Sequence, residues 1–257
     1  MSKAMTCRCL LAAGLLASGA AQAALFDRGG GLIYDDVLDI TWLQDANYAQ
    51  SSGFDADGRM NWTTAVAWAD GLSYFDSVRN VTWSDWRLPF VVDTGTSGCD
   101  FAYSGTDCGF KVQTYDSGTD TVYSELAYMW YENLNNIPFC DTSGVCPQAG
   151  WGVSNTGPFT NLQSDVYWSG TAYAPAPAFH AWYFSTGLGI QDGITVGDQG
   201  NRFYAWAVRP GDVAAALAVP EPGSLALAGL ALGGLAWVRR RGRLAGVTQP
   251  SETAGRA

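Results

Sequence analysis

Few side chains in this 257-residue chain are of a type and spacing that could do chemistry. Cys99, Cys108, Cys140 and Cys146 form an even set that reads as two disulfides in an oxidising compartment. Three connectivities are open. Proximity in sequence favours Cys99 with Cys108 and Cys140 with Cys146, each closing a short loop and contributing about 2 to 3 kcal/mol in the chain-entropy model. A four-thiolate zinc site is the rival, and neither pair has the two-to-four-residue spacing such sites use. Asp55-Ala56-Asp57-Gly58 resembles the front of an oxygen-ligand loop for calcium. Arg59 stands where a third ligand would fall, no glutamate closes a twelve-residue loop, and the alternative is a solvated turn. His180 is the one histidine, so multi-histidine metal centres are excluded and a single candidate base remains. No nucleophile elbow, phosphate loop or dinucleotide fingerprint is present, so no catalytic residue is assigned. With so many acids, a carboxylate pair for glycoside cleavage stays open.

The two ends of the chain frame these residues. Lys3 and Arg8, the apolar stretch Leu10 to Ala17, and Ala21-Gln22-Ala23 before Ala24 have the form of an export signal over residues 1–23, which takes Cys7 and Cys9 with it. At the other end Val219-Pro220-Glu221-Pro222-Gly223 precedes the apolar run Ser224 to Val238 and the cluster Arg239-Arg240-Arg241-Gly242-Arg243. This is the order of a stop-transfer element, with the basic cluster held on the cytoplasmic side. Fifteen apolar residues fall short of the roughly 20 that span a bilayer, which suits a temporary helical anchor better than a permanent one. A polar tail, 244–257, follows.

Pro220, Glu221 and Pro222, the short apolar helix, and Arg239, Arg240 and Arg241 together resemble the PEP-CTERM sorting signal of Gram-negative bacteria. The resemblance implies recognition and cleavage by an exosortase after transient residence in the inner membrane, then release or attachment at the cell surface, alongside exopolysaccharide and biofilm production.

Between the two segments lies a body, residues 24–218, of a size one domain fills. It holds seven basic and 22 acidic residues, a net charge of −15. Such a surface repels nucleic acid and anionic lipid, leaving cations, neutral glycans and basic proteins as partners. Ten Trp, twelve Tyr and eleven Phe fall in the body. Most must build the core, while a few could stack on the apolar faces of sugar rings.

Elements are short. Leu32 to Tyr34 and Asp39 to Leu43 flank Asp35-Asp36 as a hairpin. Asn61 caps a helix with Trp62, Ala65, Val66, Ala69 and Leu72 on one face, and Ser124 begins a second with Leu126, Met129, Trp130 and Leu134. Residues 93–120, rich in Gly, Ser, Thr and Asp, read as a long loop insertion. Tyr167 to Thr171, His180 to Thr186 and Phe203 to Arg209 read as strands, and in the last Tyr204, Trp206 and Val208 share a face. No internal repeat is evident. The expected class is α+β: small antiparallel sheets with about two helices, plus the C-terminal apolar helix.

Thr41 to Ala49, Trp86-Arg87-Leu88-Pro89, Tyr167 to Thr171, Ala181 to Phe184 and Ala205 to Gly211 resemble the DUF1566 family, which includes the C-terminal domain of Legionella collagen-like adhesins. This implies a C-type-lectin-like or formylglycine-generating-enzyme-like architecture and glycan binding. The adhesins' sulfated ligands would be repelled here unless calcium intervened. Arg87 and Arg209 are expected to pair with buried carboxylates. The functional expectation is a non-catalytic surface or matrix protein in contact with exopolysaccharide. The alternatives are a secreted hydrolase of that matrix and a structural surface protein.

Overall fold

The computed structural model describes residues 25–95, 107–197 and 200–214. Both sorting segments, the polar tail and Cys99 lie outside them. The chain divides into a unit Met1–Val213 and a unit Ala214–Ala257, and the described residues fall almost wholly in the first.

In chain order the body runs β1 (Leu25–Asp27), β2 (Leu32–Asp35), β3 (Ile40–Leu43), α1 (Tyr48–Ser51), β4 (Arg59–Met60), α2 (Trp62–Asp70), β5 (Tyr74–Asp76) and β6 (Val81–Trp83). Next come β7 (Gly109–Phe110), β8 (Tyr115–Asp116), β9 (Thr121–Val122) and α3 (Glu125–Tyr128), which continues as a π-helical turn, Met129–Asn133. The last strands are β10 (Val166–Ala172), β11 (His180–Ser185), β12 (Ile190–Thr195), β13 (Phe203–Tyr204) and β14 (Val208–Pro210). One sheet has the order β1-β2-β3-β14 and a larger one β4-β13-β10-β11-β12-β7, while β5-β6 and β8-β9 are separate hairpins. The body is mixed α+β. Among the described residues no helix is long and apolar enough to cross a membrane.

Both expected helices start at their caps: Asn61 Oδ1 accepts the Thr64 N–H at 2.9 Å and Ser124 Oγ that of Ala127 at 3.2 Å. Such bonds satisfy backbone donors that the first helical turn leaves open. A third helix, α1, is a single turn and too short to show a period. The Ser124 helix has no exposed side along Leu126 to Tyr131, all of which is buried, so an amphipathic stripe is the wrong description of it. Its widening into a π turn accommodates Trp130 and Tyr131, whose rings meet edge to face at 4.9 Å.

Other expectations need correction. The span 93–120 carries β7 and β8 among its described residues, hidden because two-residue strands leave no alternation to read. Phe203 to Arg209 is two strands: β13 joins the large sheet, pairing parallel with β10, and β14 joins the small one, pairing with β3. The buried Ala205-Trp206-Ala207 crosses between the sheets, so tertiary contacts at each end override one continuous alternation. The sheets are therefore not purely antiparallel. Strand β12 leaves no alternation to read in the sequence, because Gly193 interrupts it.

Four hairpins share a design. In β2-β3, β5-β6, β8-β9 and β11-β12 a residue pairs with the one five places on: Asp35 with Ile40, Asp76 with Val81, Asp116 with Thr121, Ser185 with Ile190. An aromatic precedes the first residue each time (Tyr34, Phe75, Tyr115, Phe184), and that residue's side-chain oxygen accepts N–H groups of its own turn. The last loop residue is left-handed: Asp39 (φ 49°), Asn80 (φ 54°), Asp120 (φ 54°) and Gly189 (φ 65°). Asn, Asp and Gly tolerate that conformation best, which accounts for all four choices. Asp39 thus belongs to the turn, not to the strand.

Candidate functional site

Charge is distributed unlike what the composition alone suggests. Each of the six arginines among the described residues is held in an ion pair within the body: Arg28 with Asp212, Arg59 with Asp165, Arg79 with Asp76, Arg87 with Glu125, Arg202 with Asp55, and Arg209 with Asp85. Lys111 sits with Nζ 4.7 Å from the centre of the Tyr131 ring. Arg87 reaches both oxygens of the buried Glu125 at 2.7 Å, as expected. Arg209 reverses the expectation. It is the guanidinium that is buried, stacked 4.2 Å over Trp83, while Asp85 is half exposed. Burial raises the Asp85 pKa, but the hydrogen bond and charge of Arg209 outweigh it and leave the carboxyl below its ordinary range.

The Asp55-Asp57 loop also holds a cation, and it is Arg202. Its guanidinium lies 3.2 Å from Asp55 Oδ2 and 3.6 Å from Asp57 Oδ1. Asp55 Oδ1 accepts the N–H groups of Asp57 and Gly58, and Asp57 Oδ1 that of Arg59. Gly58 is left-handed, and a Cβ there would sit 1.8 Å from Asn47 Oδ1, so only glycine closes the turn. No group of three or more Asp, Glu, His or Cys side chains among the described residues is placed to hold a metal. His180 opens β11 beside Tyr173, ring centres 6.1 Å apart, and its buried Nδ1 meets no partner.

Aromatics separate sharply. All ten tryptophans of the body are described. Seven are buried, Trp62 and Trp83 are half-buried, and only Trp151, at 43%, is exposed. The indole is braced from below: it meets Phe139 edge to face at 5.0 Å, and Phe139 lies 6.5 Å from Phe110. The Phe139 N–H donates to the Leu188 carbonyl in the β11-β12 turn, and the Gly152 N–H to that of Ile137. A disulfide, Cys140–Cys146 (Cα–Cα 4.5 Å), closes the loop before it. Inside that loop Asp141 accepts the N–H groups of Val145 and Ser143, and these bonds, Val145 first, hold its carboxyl below the ordinary range. Ile137, which bridges to Trp151 through the backbone, is exposed, as are Val145 in the disulfide loop and Leu188 in the β11-β12 turn. Cys108 is also disulfide-bonded. The result is a braced, exposed indole with a flat π face, suited to packing against another flat apolar surface. Trp151 was not singled out from the sequence. Its position between two left-handed glycines, Gly150 and Gly152, in a Cys- and Pro-containing loop was the available signal.

Comparison with known proteins adds to this picture at the C-terminus. Residues 218–241 match the PEP-CTERM protein-sorting motif. The motif points to an exported, surface-directed protein processed by an exosortase. No curated protein and no solved structure matches the chain.

Proposed function

We propose that this exosortase-processed surface protein uses a DUF1566-like body to hold neutral polysaccharide of the extracellular matrix, with Trp151 as the stacking platform. In this reading residues 1–23 are removed on export, 24–218 are the functional body, and the 219–243 segment delivers it to the surface. The supporting observation is that among the described residues one indole is exposed and braced while every arginine is engaged internally. A polyanion would need cations that the body has already committed, and a net charge of −15 would repel it. A neutral glycan needs an apolar face to stack on and polar groups around it, and the indole supplies the first.

The test is co-sedimentation of the processed protein with the producing organism's own exopolysaccharide, in calcium and in chelator. Saturable binding is expected, with Trp151→Ala weakening it about tenfold or more, as loss of a central aromatic anchor does. Undiminished binding by Trp151→Ala, or none by the native protein, refutes the assignment. Loss in chelator alone would redirect it to Asp55 and Asp57.

A further inference from the structure

We infer a second site: the groove between α1 and α2 takes another ring of the same neutral polysaccharide, so that one body bridges two polysaccharide segments. This rests on the glycan reading above. The groove has a volume of about 360 Å³, within the size range of small-ligand sites. Ser52, Phe54, Trp68, Leu72 and Ser73 define it. Phe54 is 55% exposed and forms a wall, its ring 6.4 Å from that of Trp68 and tilted by 52°. Trp68 and Leu72, both largely buried, form the floor. No atom lies within 4 Å of where a side chain on Gly53 would begin, so the mouth is open.

The occupant follows from charge. No charged side chain lines the groove, in a body carrying −15 overall. An anionic ligand would find no cation there, and a basic peptide no carboxylate. A second copy of the chain would bring another −15 against the first. A neutral molecule with an apolar face and hydroxyl groups suits the two aromatic rings and the serine hydroxyls at the rim, and a pyranose ring has that chemistry. The groove shares no residue with the Trp151 platform and is carried by different elements, so both can be filled at once.

Two sites on one body make it a cross-linker, which simple binding is not. Light scattering of the exopolysaccharide titrated with processed protein should rise and then fall in protein excess. Phe54→Ala and Ser73→Glu, both at exposed positions, should still co-sediment through the Trp151 platform, Phe54→Ala with affinity reduced about 2- to 10-fold, as expected for one aromatic contact, and both should lose the scattering maximum. If either cross-links like the native protein while binding persists, the groove is not a site and the Trp151 reading stands alone. If the native protein does not bind, both fail. If Phe54→Ala changes the mass of the free protein, a second copy occupies the groove and the proposal is overturned.

Discussion

Hairpins β2-β3 and β5-β6 are built on the same local plan and differ in electrostatics. Asp35 and Asp76 each end a strand, are fully buried, and accept the N–H groups two and three residues on, Val37 and Leu38 in one turn, Val78 and Arg79 in the other. In β5-β6 the fourth residue of the pattern is Arg79, whose guanidinium returns to Asp76 Oδ2 at 2.7 Å and also donates to the Arg28 carbonyl. Leu38 holds that place in β2-β3, so the second oxygen of Asp35 receives only the amide of Asn133, at 2.6 Å. Burial raises both pKa values. For Asp76 the hydrogen bonds from Arg79, Trp83 and the turn outweigh it, and the carboxyl titrates below its ordinary range. For Asp35 burial wins, and the pKa rises from 3.8 to about 6. A backbone motif thus sets where the carboxylate points, and one side chain inside the loop decides whether it costs or contributes stability.

The largest effect is expected at Arg79. Arg79→Met leaves Asp76 buried with no cation, and a loss of about 3 to 5 kcal/mol is expected in urea unfolding. The same treatment of Leu38, its counterpart, removes no charge pair, so a similar loss there would mean packing and not pairing is measured.

Gly189 tests whether the left-handed position is itself required. Alanine there combines φ 65° with a Cβ 2.6 Å from the Trp130 ring and 3.0 Å from the Pro138 Cα. Gly189→Ala should cost about 3 kcal/mol from conformation and overpacking together. An unchanged melting temperature would show that the β11-β12 turn relaxes freely.

Asp35 gives the third and smallest effect, through pH. Its folded state binds the proton more tightly than the unfolded chain, so its contribution to stability is greatest below about pH 4 and falls as pH rises toward about 6. The loss amounts to roughly 2 to 3 kcal/mol. Asp76 acts in the opposite sense, favouring the folded state above the ordinary carboxylate range and losing that contribution as pH falls. Asp35→Asn should flatten the descent between pH 4 and 6 in thermal scans. A stability curve unchanged by that substitution would assign the pH dependence to other carboxylates.

Much of the local structure was legible in the sequence. Asn61 and Ser124 are caps because their side chains bond within three residues, and a short-range bond leaves a short-range signature. The shared hairpin went unseen because only its aromatic, its acceptor and its left-handed residue recur, with every other position free to vary. The candidate site was legible only as an excess of aromatics. At Trp151 only the flanking Gly150 and Gly152 mark a loop position, and nothing near Phe54 or Trp68 in sequence tells an exposed ring from a covered one, since the covering comes from strands and turns far along the chain.

The sorting signal and the acidity of the body are properties of composition and contiguous order and can be read from the chain without its fold. Which arginine meets which carboxylate was decided by tertiary structure: Arg28 and Asp212 are 184 residues apart, Arg209 and Asp85 124. The same holds for the division of 203–210 between two sheets and for the exposure of Trp151, alone among the described tryptophans. Each depends on long-range packing, in which burial and desolvation act on neighbours in space irrespective of their separation along the chain.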